Sequence, residues 1–469
     1  MRRVLIFASA FTLSFILCEA LILYAQTATK PPAPNPQATP SNAPEGNVMI
    51  EELKNSPNAG KRANAARELG KARDVSALPA LTEALSDPSE KVRREVVLAL
   101  AQFHQPEALD GLTKATQDLN EEVSVLAVQS LVGYYTGNIP SPGFSGFVKK
   151  NWERAKGHYN PDTTTRIDPG VAVDPRVITT LEATLKSTRS TRASCEAANG
   201  LGILVARAAV PDLVQAAHSS DETLSLEALN ALSKIKDMSA GPQLIDLLDS
   251  PNKEIKQQAC VTIGILRTSQ AAPKLQSIYE NARDPKDEEK ALEGLAYLGD
   301  KSSIPLFTKG LESPGKLNRA SAAEGLARAS DPKVLPDLEK AYAVEKDAEV
   351  KLALEFAMTA LGKSDYLSDL VNELPSRTRG DVAQPYLIEL ARIPGFLPKL
   401  YPYLQSPNAG VRKRLCTVLM FGGDQTSLDQ LDRLSHDPDG DVAAAALAAK
   451  SGLRARLAAT GTTPATSSP

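Results

Sequence analysis

The sequence predicts an all-α fold, an α-solenoid wound as a right-handed superhelix of about twelve helical hairpins, and three observations predict it. The first is a beat: Pro57 and Pro88 are 31 residues apart, Pro314 and Pro407 are 93 apart, and Pro407 to Pro438 is 31 again. Each of these prolines follows Ser or Asp, namely Ser56, Asp87, Ser313, Ser406 and Asp437, and Ser250-Pro251 and Asp284-Pro285 join the set with slight slippage. The second is an apolar slot that recurs in phase: Leu201, Leu232, Ile263, Leu295 and Leu326 follow one another at steps of 31, 31, 32 and 31. The third is composition: aromatics are only 5% while Ala and Leu abound, which suits close-packed helices and lacks the enrichment of strands. Self-similarity at this period marks a stack of supersecondary units. Such stacks present extended binding surfaces.

Residues 1–25 read as an export signal or an N-terminal anchor. Arg2 and Arg3 form a positive n-region, and Val4 to Leu17 is an unbroken apolar and small run. Cleavage could follow Ala20 or Ala25; uncleaved, Val4 to Ala25 is 22 residues, long enough to span a bilayer. Both readings put the rest of the chain outside the cytoplasm, periplasmic, secreted or held at the inner membrane. Residues 26–47 carry Pro31, Pro32, Pro34, Pro36, Pro40 and Pro44, the composition of an extended linker without a core. The tail, 456–469, is expected to be disordered, being rich in Thr, Ser, Ala and Pro toward its end.

Repeats are expected over 48–133 and 176–455. In one unit, Leu78, Leu81, Ala84 and Leu85 share a helical face. Asp87 suits an N-cap, Pro88 the first helical position and Glu90 the positive end of the helix dipole. Val92, Val96, Leu98, Ala99 and Leu100 then give a second, more apolar helix. Gly70, Gly202, Gly264, Gly299 and Gly362 fall at or just after second-helix ends, where a left-handed residue is expected. At roughly 10 Å per stacked unit, twelve units imply an elongated arc on the order of 100 Å. Cys195, Cys260 and Cys416 lie two or more repeats apart, too far to bridge, and are expected to be free and buried.

The run Asp87-Pro88-Ser89-Glu90-Lys91-Val92-Arg93, followed by an Ala/Leu helix, resembles HEAT repeats, and the short period resembles the phycobilisome-lyase-like HEAT subclass. The resemblance implies the solenoid fold and a role as scaffold or adaptor, and a few members are enzymes. Leu119 departs from the pattern by replacing the turn proline, and the beat shortens after Leu374 to Asp381.

The period is lost between Tyr134 and Pro175. Within this insertion stand Tyr134, Tyr135, Phe144, Phe147, Trp152 and Tyr159, with Lys149, Lys150, Arg154 and Lys156 among them. Trp152 is the one tryptophan of the chain. Rings folded inward would plug a local core. Rings with Arg and Lys turned outward would form a partner-binding loop, since these are hot-spot types, or would touch a membrane surface or polyanion. The partner-binding candidates are Phe144, Phe147, Lys149, Lys150, Trp152, Arg154 and Tyr159, with Tyr134 and Tyr135 as the buried root.

Known chemistry is not written in the sequence. His104, His158, His218 and His436 are followed by Gln105, Tyr159, Ser219 and Asp437, so the paired His-Glu dipeptides that resemblance to the di-iron HEAT enzyme deoxyhypusine hydroxylase would require are absent. Neither CxxC, HExxH, a Walker loop nor GxSxG occurs. A net charge of -3 gives no basis for a nucleic-acid footprint. The expectation is a non-enzymatic, exported scaffold without cofactor or metal that binds protein partners through its concave face and the 134–175 loop. Its alternatives are a membrane-tethered envelope subunit held through residues 4–25, and a bilin-lyase-like enzyme or chaperone.

Overall fold

The computed structural model describes residues 43–138, 140 and 166–461. Among these residues there is no strand, and the helices form twelve hairpins. The second helices of repeats 1 to 12 are Ala59–Ala72, Glu90–Leu100, Glu121–Thr136, Thr191–Ile203, Glu222–Ile235, Lys253–Ile265, Pro285–Leu298, Lys316–Ala329, Ala348–Ala360, Arg379–Ala391, Ala409–Gly422 and Gly440–Gly461. The first helix of the array begins at Ala43, inside the expected linker, and the last runs to Gly461, past the expected start of the tail. Many first helices open on a short 3₁₀ turn and an X-Pro step, as at Pro79, Pro211, Pro305 and Pro336, where the missing N–H costs nothing.

Every second helix packs on the second helix of the next repeat along the whole array, whereas first helices of adjacent repeats touch far less. The closer layer lies on the inside of any bend, so the second helices form the inner face. Three of the glycines expected to end helices serve this approach instead. Gly70 and Gly202 lie within their helices, and a Cβ on them would fall 2.6 Å from Ala99 Cα and 2.8 Å from Ala231 Cα of the next repeat. Gly264 meets Gly294 in the same way. The left-handed residues that follow these three helices are Arg73, Val205 and Arg267, while Gly299 and Gly362 do adopt positive φ.

The turn between helices also differs from the expected cap. The N-cap of Glu90–Leu100 is Ser89, two residues after Asp87, and Pro88 precedes it. Asp87 is engaged elsewhere. Its carboxylate accepts the Ser89 N–H at 2.8 Å and a bidentate pair from Arg62 of the preceding repeat at 2.7 and 2.9 Å. Arg62 also donates to the Ser56 carbonyl of its own turn. The motif recurs in Arg93–Asp118, Arg319–Glu345 and Arg412–Asp437. In each, the arginine is the fourth residue after its N-cap and the acid stands two residues before the next N-cap. After the repeats that lack that arginine the acid position carries Ser219, Ser250, Ser313, Ser376 and Ser406, with Thr188 and Ala282 as the exceptions. In repeats 3, 4 and 5 the arginine slot is Ser124, Ser194 and Ser225, whose hydroxyls donate to carbonyls of their own turn. Arginine thus ties the turn to its neighbour in repeats 1, 2, 8 and 11 and serine ties it to itself in repeats 3, 4 and 5, while the slot holds Lys256, Glu288, Lys351 and Val382 in repeats 6, 7, 9 and 10.

One core slot is anomalous. The eighth residue after the N-cap faces the next repeat and is Ala66, Val97, Val128, Ala198, Leu229, Cys260, Leu292, Ala323 and Cys416 in nine repeats, all buried. In repeat 9 it is Glu355, also buried, with Oε1 accepting from Tyr342 at 3.1 Å and Oε2 without a hydrogen-bond partner. Burial raises this carboxyl to about 7 against the Tyr342 hydrogen bond, with Asp369 and Glu373 adding to the rise. Cys195, Cys260 and Cys416 are free and buried, as expected, and burial lifts each to about 12.

Two outcomes follow. Arg93→Ser leaves Asp118 without its partner and costs about 1–3 kcal/mol. Adding Asp118→Ser recreates the serine pattern used elsewhere and recovers most of the loss, read as hydrogen-exchange protection of the 116–124 turn. The two glutamates of repeat 9 give opposite pH slopes. The Arg319 hydrogen bond holds Glu345 down at about 2, so its contribution is present above pH ~4.5 and is lost as pH falls toward 2. Glu355 is raised, so stability falls as pH rises from about 4.5 to 7. Glu355→Gln flattens that upper slope in a melting-temperature series, leaving the acid limb unchanged.

Candidate protein-binding face

The inner face is a stripe built from the sixth, ninth and thirteenth residues after each second-helix N-cap, spacing that puts them on one helical side. In repeats 4, 5, 7 and 8 this stripe is charged and polar. It carries Glu196 and Asn199, Glu227, Asn230 and Lys234, Lys290, Glu293 and Tyr297, then Glu324 and Arg328. Gln129 donates to Glu196 at 2.9 Å, Lys234 to Asn199 at 2.6 Å, and Lys290 to Glu293 at 2.7 Å. Charged groups set in a helix bundle at this depth cost desolvation, so their pairing is required for the fold to form.

The stripe tightens at repeats 8 to 10. The Arg328 guanidinium makes a bidentate pair with Glu389 at 2.8 and 3.0 Å, a third bond to Glu324 at 3.1 Å, and lies 4.8 Å over the Tyr297 ring. Tyr386 donates to Glu324 at 2.6 Å and stacks on Phe356 at 4.5 Å between centroids. Repeat 8 therefore touches repeat 10 directly, across repeat 9. Second neighbours on a straight stack are about 20 Å apart, beyond the reach of these side chains. The contact fixes a sharp bend with the second helices inside, next to the stretch where the beat shortens. Burial works against the Arg328 charge, but Glu389 and Glu324 outweigh it and hold its pKa well above the ordinary value.

The aromatic candidates of the insertion, Phe144, Phe147, Lys149, Lys150, Trp152, Arg154 and Tyr159, lie outside the described residues. Its two ends do not. Tyr134 and Tyr135 form an edge-to-face pair 5.1 Å apart and are half-buried against the core. The Tyr134 hydroxyl donates to the His104 carbonyl at 2.7 Å, and the Tyr135 hydroxyl accepts the Asp174 N–H at 3.0 Å. Burial raises both phenols. Tyr135 therefore stitches the start of the insertion to its end, and Arg176 pairs with Asp110 at 2.6 Å beside it. Sequence reasoning found the tyrosines by position and missed Asp174 and Arg176; Asp174-Pro175 does carry a local helix-start signal, and Asp174 is the N-cap of Pro175–Leu185, but nothing local points to Tyr135 or Asp110.

Other surfaces carry less. A groove between repeats 3 and 4 is lined by Thr116, Leu119, Ser187 and Ser190, with Leu119, the residue that replaces the turn proline, 92% exposed. Among the described residues no group of three or more His, Cys, Asp or Glu is placed to hold a metal ion, and no helix is long and apolar enough to cross a membrane.

The family model for HEAT repeats matches residues 46–132, 178–264, 210–287 and 272–359, more than half of the chain. The chain belongs to the HEAT-repeat family. No protein of curated function matches it. Among solved structures this HEAT array is similar to an engineered protein, at 18% identity over 87% of this chain and 99% of that one, with a TM-score of 0.35. It is similar to Kap95p, whose binding acts on the switch loops of RanGDP, at 13% identity over 90% of this chain and 57% of Kap95p, with a TM-score of 0.44. It is also similar to human deoxyhypusine hydroxylase, at 14% identity over 61% of this chain and 96% of that one, with a TM-score of 0.25.

Arg328→Ala leaves buried Glu324 and Tyr386 and half-buried Glu389 around a missing cation and costs about 3–5 kcal/mol. The loss is expected in exchange protection across repeats 8–10, with repeats 1–3 unchanged because repeats couple mainly to their neighbours.

Proposed function

We propose that this HEAT array is an extracytoplasmic scaffold that binds other proteins through its second-helix face and the 134–175 insertion. The observation that carries the reading is the polar stripe, rows of paired charged and polar groups on the inner layer in repeats 4, 5, 7 and 8, together with a 42-residue interruption of the beat rooted at Tyr134, Tyr135 and Asp174. Rigid placement of a loop by a repeat scaffold is the usual arrangement for recognition. Phe144, Phe147, Trp152 and Tyr159 supply aromatic anchors, and Lys149, Lys150 and Arg154 supply charge, the residue types that dominate protein interfaces. Residues 4–25 either direct export and leave or remain as a tether; the mass of the mature N-terminus separates the two.

The test is to replace Phe144–Lys156 with a short Gly/Ser bridge and compare crosslinking pull-downs from the envelope fraction. The expected result is loss of most partner recovery with an unchanged melt. A melt that collapses means the aromatics are core, and an unchanged melt with unchanged recovery removes the loop from the binding surface.

A further inference from the structure

The segment that returns from the insertion reaches three distant repeats. The Ile167 N–H donates to the Ile203 carbonyl at the end of repeat 4, at 3.0 Å. The Arg166 guanidinium donates to the Lys234 carbonyl at the end of repeat 5, also at 3.0 Å. Three residues on, Pro169 and Gly170 lie on the last helix of the array. A Cβ on Gly170, whose φ is +97°, would fall 2.5 Å from Ala455 Cβ, and one on Gly452 would fall 3.2 Å from the Pro169 carbonyl oxygen. A side chain at Gly170 would push the two apart, while one at Gly452 would meet Met420 first.

Five extended residues span at most about 18 Å. Seven repeat steps from repeat 5 to repeat 12 would separate the same points by about 60–70 Å on a straight stack. The arc expected to be elongated is therefore curled until repeat 12 returns beside repeats 4 and 5, and Arg166–Gly170 bridges the gap. The two attachments are unlike in kind. Toward repeats 4 and 5 the segment makes two hydrogen bonds and packs Ile167 on the core. Toward repeat 12 the contact is packing of Pro169 and Gly170 on the last helix at Gly452 and Ala455. Leu447, in the slot that faces a next repeat, is 58% exposed on that same helix.

We propose that Arg166–Gly170 is a clasp: it holds repeats 4–12 as a closed arc, and its release from the last helix lets the arc open. The repeat 12 side is the side that lets go, because the described contact there is packing of Pro169 and Gly170 on the helix, while the other side is hydrogen-bonded. The clasp stands apart from the question of what binds the insertion, so a negative pull-down leaves it testable.

The experiment places spin labels at Met238→Cys and Leu447→Cys, both exposed positions flanking the closure. Cys195, Cys260 and Cys416 are buried and raised to about 12, and Cys18 is replaced by Ser, so the added cysteines take the label. The full chain is expected to give a short, narrow distance distribution. Ala455→Glu, which forces a carboxylate against Gly170, and Ile167→Pro, which removes the N–H bonded to Ile203, are each expected to lengthen it by at least one repeat spacing, about 10 Å. Helical circular dichroism is expected to be retained. Ile167→Pro leaves repeat 12 untouched, so unfolding of the last repeat by Ala455→Glu would not remove the test. A distribution that is already long in the unmodified chain, or that neither variant moves, overturns the proposal.

Discussion

The stacking of each second helix on the next is the constraint from which the rest of the molecule follows. These helices approach so closely that Gly70, Gly202 and Gly264 have no room for a side chain, and the first helices splay outside them. A layer that is tighter on one side must bend toward that side. The bend brings Arg328 and Glu324 of repeat 8 within reach of Glu389 and Tyr386 of repeat 10, and it brings the last helix back to Pro169 and Gly170. Curvature, the polar inner row and the closure are thus consequences of one packing decision repeated eleven times between twelve helices.

Because each repeat leans on its neighbours, the turns have to be held in register. In repeats 1 to 5, 8 and 11 the array does this with two devices at one slot. Arginine with an acid in the next repeat ties turn to turn, and serine closes a turn on itself. The serine form occupies repeats 3 to 5, around the insertion, where the return segment adds ties of its own through Ile167 and Arg166. Repeats at the two ends of the array carry the arginine form. Glu355 shows the cost of breaking the pattern: a carboxyl in a slot built for Ala, Val, Leu or Cys is driven to about 7 by burial. It sits where repeat 9 meets the irregular repeat 10, so the fold already has its least regular packing there.

The sequence by itself determined the class of fold, the period, the number of hairpins and the free, buried thiols. All of these depend on local spacing: 31 residues between Ser/Asp-Pro turns, apolar residues on one helical side, and cysteines in core slots. It also marked Tyr134 and Tyr135 as the root of the insertion, because the beat ends there. Only the tertiary structure decided the rest. Asp87 reads locally as a helix cap, and nothing within its own repeat reveals that Arg62 claims it across the turn. Glycines near helix ends read as left-handed caps until a neighbouring helix is laid against them. The bend across repeats 8–10 and the return of repeat 12 to Gly170 are sums of small rotations between units, and a sum over many interfaces is not written in any one of them.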